Sequence, residues 1–149
     1  MTRPQNKPIV DVLLVEDNLS DVRLTGEAFQ EVNASVRLAI AHDGDQALSL
    51  LRQQGPHRGA PRPRLILLDL NLPRMSGHEV LAEIKADPEL RSIPVIVLTT
   101  SDAEIDMRNA GGLQASCYLR KPLDFAALVE LVRMVDRSWI RSLEPPLTD

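Results

Sequence analysis

Aromatic residues are scarce in this chain, only 3% of its 149 residues, with one Trp, one Tyr and two Phe. That excludes the stacking platforms on which single-stranded nucleic acid is commonly held, and it predicts an aliphatic core drawn from the 44% of hydrophobic residues. One cysteine, Cys117, permits no internal disulfide framework and fits a reducing, cytoplasmic setting. Because it lies in an apolar run, Cys117 reads as a packed thiol. Positive charge is not in excess: 17 Lys and Arg face 21 Asp and Glu, for a net charge of -4 and a pI near 5.4. Neither direct nucleic-acid binding nor an anionic membrane surface is therefore expected. No run approaches the roughly 18 apolar residues of a membrane span, and no apolar signal core precedes Ile9. Clustered Cys and His ligands for zinc, a glycine-lysine phosphate loop and a dinucleotide fingerprint are all missing.

What is present is organised around Arg64 to Gly77. Leu65 to Leu68 form an apolar run without alternation, as expected of a strand covered on both faces in a parallel sheet. Asp69 closes the run, Pro73 forbids a simple continuation of the ladder, and Gly77 stands where a helical pattern begins. Asp69 is thereby placed at the carboxyl edge of a sheet, where open α/β folds carry their chemistry.

The rest of the chain repeats the theme. Ile9 to Val15 reads as a first strand ending in Glu16-Asp17, with Asn18 or Ser20 capping the helix that follows. Ser35 to Ala41 alternates and suggests an edge strand, Asp43-Gly44 signals a turn, and Ala47, Leu48 and Leu51 provide a short helical stripe. The Pro- and Gly-rich connection from Gln53 to Pro63 looks like a boundary, but either side alone would leave an incomplete sheet. Ile93 to Leu98 is a fourth strand, ending in Thr99-Thr100-Ser101, and Asp102 to Ala110 a short fourth helix. Ala115 to Leu119 is a fifth strand ending in Arg120-Lys121-Pro122, and a last helix runs from near Asp124 toward Leu143. Five strands alternating with helical segments give a three-layer α/β domain, spanning 9–143 between a polar arm (1–8) and a short tail (144–149). Right-handed crossovers gather Glu16, Asp17, Asp69, Asn71, Thr99, Thr100 and Lys121 on one rim.

Carboxylates converging on one site repel, so they call for a cation or for abnormal protonation. An oxygen-only donor set favours Mg²⁺ or Mn²⁺, which binds one or two carboxylates together with phosphate oxygens. The Thr99 hydroxyl and Lys121 ammonium could meet the remaining oxygens of a phosphoryl group, and Asp69 is the natural nucleophile for an acyl phosphate.

These marks together, Glu16-Asp17, Asp69 in Leu-Leu-Asp-Leu-Asn-Leu-Pro-Arg-Met-Ser-Gly, Thr99 after Val-Ile-Val-Leu, and Tyr118-Leu-Arg-Lys121-Pro122, resemble a two-component response-regulator receiver domain. The resemblance implies a flavodoxin-like, doubly wound sheet of strand order 2-1-3-4-5. It implies that Asp69 accepts phosphate from a histidine kinase and that Asp17 and Asp69 ligate Mg²⁺ or Mn²⁺. Glu16 would act through metal-bound water, and the Asn71 carbonyl would complete the protein ligands. Thr99 and Thr100 would contact and follow the phosphoryl group, Lys121 would contact carboxylate or phosphate, and Tyr118 would be the aromatic switch. Asn71 and Ser101 would tune hydrolysis, and Lys121-Pro122 would be cis. Glu16 departs from the family's common Asp, and Gln114-Ala115 from its usual glycine-alanine junction. Val-Glu-Asp-Asn, the Pro/Gly-rich insertion, Leu-Thr-Thr-Ser and Cys-Tyr-Leu-Arg-Lys-Pro-Leu-Asp-Phe resemble the stand-alone regulators of bacterial and cyanobacterial phytochromes.

The expectation is a phosphoacceptor signalling protein, not a conventional enzyme, with autodephosphorylation chemistry and a histidine kinase, of the bacteriophytochrome kind, as its partner. With no output domain after the last helix, it would signal through its own surface to a downstream protein or phosphotransfer partner. Two alternatives compete. A haloacid-dehalogenase-like phosphatase would carry a second acid where Asn71 stands and its nucleophile after the first strand; a phosphorylation-independent interaction module would not need the intact acidic set. Tyr118, Phe125, Leu128, Val132, Val135, Trp139 and Leu143, six of them on a last helix about 30 Å long, predict a homodimer face. The local alternative is that the helix end folds back on its own domain.

Overall fold

The computed structural model describes residues 10–59, 61–100 and 115–141. In chain order these form β1 (Val10–Val15), α1 (Leu19–Val32), β2 (Val36–Ala41), α2 (Gly44–Leu51), β3 (Leu65–Asp69), α3 (Gly77–Ala86), β4 (Val95–Thr99), β5 (Cys117–Arg120) and α4 (Phe125–Val135). The five strands are parallel in the order β2-β1-β3-β4-β5, the expected doubly wound topology. The predicted fourth helix, Ser101, Leu143, the arm and the tail lie outside the described residues.

The continuous apolar strands are explained by their position. Every residue of β3 and β4 is buried, because both strands are interior and have helices on both faces. Leu13, Val15, Ile66, Leu68, Val95, Val97 and Tyr118 pack with α2 and α3, whereas Val12, Leu14, Leu65, Leu67, Ile96 and Leu98 pack with α1 and α4. β2 is one edge of the sheet, as its alternation predicts, and β5 is the other. The one acid inside β1, Asp11, sits in register with Arg37 of β2 and meets its guanidinium at 2.6 Å, on the surface.

Local chemistry sets the helix starts. Asn18, not Ser20, caps α1 by accepting from the Asp21 N–H, and Asp43 caps α2 by accepting from Gln46. Ser76 and Glu79 close a reciprocal capping box at the start of α3, a Ser-x-x-Glu signature legible in the sequence. The Gln53 to Pro63 connection carries a 3₁₀ turn at Gly55–His57 and joins two parts of one sheet.

The last helix continues past Val135 as a π turn, Asp136–Ile140, in which Ile140 is fully buried and Trp139 half-buried against the same core. Asp136 is buried there, accepting from Asn33 Nδ2 at 2.8 Å and from Arg141 Nε at 3.0 Å. The clasp fastens the end of α4 to the C-cap of α1. Trp139 and Ile140 therefore pack on their own domain, as the alternative to the dimer has it, while Leu143 lies outside the described residues.

Candidate functional site

The strand ends deliver their side chains by simple alternation. Glu16 follows Val12 and Leu14, Asp69 follows Leu65 and Leu67, and Lys121 follows Cys117 and Leu119, so all three continue the rows that face α1 and α4. Thr99 and Tyr118 continue the opposite rows, and Tyr118 pairs in register with Val97. Backbone bonds lock the rim: Glu16 N–H donates to the Ala41 carbonyl at 2.9 Å, Leu70 N–H to Leu98 at 3.2 Å and Lys121 N–H to Thr99 at 2.8 Å.

Carboxylate oxygens of Glu16, Asp17 and Asp69 lie within 4.8 Å of one another; Glu16 and Asp69 are buried and Asp17 is exposed. Lys121 Nζ stands 2.9 Å from Asp69 Oδ2 and 3.0 Å from Glu16 Oε1. Asp69 Oδ1 accepts the Asn71 N–H at 2.9 Å, and Glu16 Oε2 accepts the Asn18 N–H at 3.2 Å. Burial, then the negative charge of Asp69, pushes the Glu16 carboxyl up to about 7 against the pull of Lys121. Burial alone would lower Lys121, but hydrogen bonds to Asp69 and Glu16 and their charges hold it above its usual value.

Three acids gathered beside one lysine, which pairs with two of them, leave negative charge in excess, and their donors are all oxygen. A hard divalent cation such as Mg²⁺ or Mn²⁺ fits this set, whereas zinc's preferred sulfur and nitrogen donors are not in it. Among the described residues no other group of three such side chains comes together.

A pH effect follows with a definite sign. Between its ordinary value of 4.5 and about 7, Glu16 holds a proton in the folded state that it has lost in the unfolded one. Stability in metal-free buffer should therefore fall as pH rises through that window and level off above it. Glu16→Gln should remove on the order of 2 kcal/mol of this slope. Urea titrations at pH 5 and 8 decide it, and parallel slopes for wild type and variant would refute it.

Other expected site residues are distributed unevenly. Asn71 and Thr100 are exposed at the rim, and Thr99 and Tyr118 are buried. Lys121-Pro122 is trans, contrary to the cis bond implied by resemblance; an X–Pro bond prefers trans by about 0.5–1 kcal/mol when nothing outweighs it. The expected dimer set divides between buried and half-buried positions. Val132, Val135 and Tyr118 are inside the protomer, and Phe125, Leu128 and Trp139 pack at least partly on its own core, because α1 and α4 cover the same sheet face. Asp21 was missed: its Oδ2 lies 3.3 Å from Lys121 Nζ. The available signal was its place one turn after Glu16-Asp17, on the N-terminal turn that faces the rim.

A response regulator receiver domain model matches residues 12–133. Response regulator Rcp1 of Synechocystis sp. is 43% identical over 146 residues, 98% of this chain and 99% of that protein. The phosphorylated cyanobacterial phytochrome response regulator RcpA superposes with a TM-score of 0.83 at 41% identity, covering 93% of this chain and 99% of RcpA. The Mn²⁺-bound form of Rcp1 gives a TM-score of 0.80 at 42% identity, covering 94% and 99%. Strand order, rim chemistry and near full-length similarity agree, and the chain belongs to the response regulator receiver family.

Proposed function

We propose that Asp69 accepts a phosphoryl group from the histidine of a cytoplasmic sensor kinase, a phytochrome in view of the Rcp1 and RcpA likeness. The observation that carries the reading is the Lys121 ammonium 2.9 Å from Asp69 Oδ2, beside the acidic cluster at the carboxyl edge of the sheet. A carboxylate oxygen of Asp69 attacks phosphorus; the new O–P bond forms as the P–N bond to the donor imidazole breaks, and the electron pair returns to that nitrogen. Lys121 neutralises charge on the carboxylate and on the phosphoryl oxygens. Glu16, Asp17, Asp69 and the Asn71 carbonyl would hold Mg²⁺ or Mn²⁺, which supplies charge neutralisation at the transferring group. Thr99 and Thr100 contact the phosphoryl group, Tyr118 follows Thr99 as the switch, and Asn71 and Ser101 govern water access during autodephosphorylation.

Incubation with phytochrome kinases from the same genome, followed by acid-quenched intact-mass measurement, should find one added phosphoryl group when Mg²⁺ is present. A folded protein that gains none from any kinase or small acyl phosphate would overturn the reading and favour a phosphorylation-independent interaction module. A two-fold homodimer is a separate proposal, resting on half-buried Phe125, Leu128 and Trp139. Sedimentation from micromolar to about 100 μM tests it, since specific dimers bury well-packed apolar surface and should associate in that range. A monomer throughout rejects it.

A further inference from the structure

An ammonium has three N–H donors, and three carboxylates surround the one on Lys121. Asp69 Oδ2 is at 2.9 Å, Glu16 Oε1 at 3.0 Å and Asp21 Oδ2 at 3.3 Å. A phosphoryl group on Asp69 turns that carboxylate into an uncharged acyl and moves the charge outward, so the ammonium must shift toward it and loosen its hold on Glu16 or Asp21. The three are not equivalent. The Glu16 and Asp69 side chains are each 3% exposed, whereas that of Asp21 is 41% exposed. Buried Glu16 has no water to replace the Lys121 contact, whereas Asp21, once released, returns its carboxylate to water.

The backbone around Asp21 is fixed, so the contact comes from a placed side chain. Its N–H donates to Asn18 Oδ1 at 3.0 Å, and its carbonyl accepts from Thr25 Oγ1 at 2.7 Å. From the first turn of α1 it lines a cavity of about 100 Å³ together with Glu16, Lys121, Leu123 and Asp124. Held there, Asp21 draws Lys121 toward α1.

We propose that Asp21 is a positioning residue whose ion pair holds Lys121 toward α1 until a phosphoryl group on Asp69 draws the ammonium away, so that α1 and the phosphoryl group compete for one ammonium. The proposal rests on Asp69 being the acceptor. It makes the first turn of α1 a determinant of how firmly the phosphorylated arrangement is held.

The probe is beryllium fluoride with Mg²⁺, a phosphoryl mimic for carboxylates, titrated calorimetrically into the full chain. Asp21→Asn should bind it about threefold more tightly at low ionic strength, in keeping with an exposed ion pair. Asp21→Glu, which keeps the charge, should return toward wild type. Asp124→Asn is the control: it lines the same cavity, changes charge equally and still caps α4, where Asp124 accepts the Ala127 N–H at 2.7 Å. It should bind as wild type does. Equal affinities of Asp21→Asn and wild type, or the same gain in Asp124→Asn, would overturn the proposal. If wild type bound no beryllium fluoride, the acceptor reading would fail, and the free protein would decide the role of Asp21 by lysine ¹⁵N NMR. There the Lys121 ammonium protons should exchange faster in Asp21→Asn than in wild type or Asp124→Asn; equal exchange rejects the contact's role.

Discussion

Asp69→Asn is expected to abolish covalent phosphorylation while leaving the domain folded and as stable as wild type or more so. The amide keeps the size of the side chain and an oxygen for the Asn71 N–H, which Oδ1 accepts at 2.9 Å. It cannot supply the carboxylate nucleophile. Loss of the Asp69 charge also removes one of the two influences that push Glu16 up, so the remaining buried carboxylate should move back toward its ordinary range. Relief of that repulsion offsets the lost ion pair with Lys121, which still has Glu16 and Asp21 as partners. Intact mass after treatment with a small acyl phosphate and Mg²⁺, beside a urea melt, measures both parts. Phosphate at the wild-type yield would remove Asp69 from the acceptor role, and a collapse in stability would contradict the account of the charge balance.

Gly77→Ala should produce the largest loss of stability among conservative changes near the site. A Cβ at Gly77 would lie 2.6 Å from Leu70 Cα and 2.7 Å from the Asp69 carbonyl oxygen. Both are backbone atoms, and the Gly77 N–H already donates to the Leu70 carbonyl at 3.1 Å, so the loop after β3 cannot yield without carrying Asp69 with it. The cost should be about 3 kcal/mol, or a fall in Tm of about 10 °C, with slower phosphorylation as a second effect. Gly44→Ala is the useful comparison. Its Cβ would approach Val80 Cγ2 at 2.7 Å and Met75 Sδ at 2.9 Å, side-chain atoms that can shift, so about 1 kcal/mol is expected. Equal losses for the two variants would contradict the backbone-clash argument.

Much of this was legible in the residues because the informative patterns were local. The apolar run before Asp69 could only be an interior strand, and acids or hydroxyls at successive strand ends had to meet once the sheet was parallel. The end of the last helix was not legible in the same way. Its apolar spacing looks the same whether the stripe covers its own sheet or another copy, and the deciding contact, Asn33 to Asp136, joins residues 103 positions apart. Asp21 escaped notice for a related reason. It resembles an ordinary first-turn acid favourable to the helix dipole, and only the placement of Lys121 from the far end of the chain gives it a second partner.

The alternation of the strands divides the molecule into two compartments, with a consequence for how news of phosphorylation could travel. Lys121, Glu16 and Asp69 extend rows facing α1, while Tyr118 extends a row facing α2 and α3. Between them lies the sheet, whose interior strands are lined by Leu, Ile and Val, with the buried hydroxyl of Thr99 at its rim on the Tyr118 side. A message reaching Tyr118 from the ionic face is then expected to pass through Thr99 and to be carried by the ends of β4 and β5, stiff levers tied at Thr99 and Lys121. Trimming the fulcrum with Val97→Ala should blunt the response of Tyr118 NMR signals to phosphorylation without altering its yield; an undiminished response would mean that the signal takes another route.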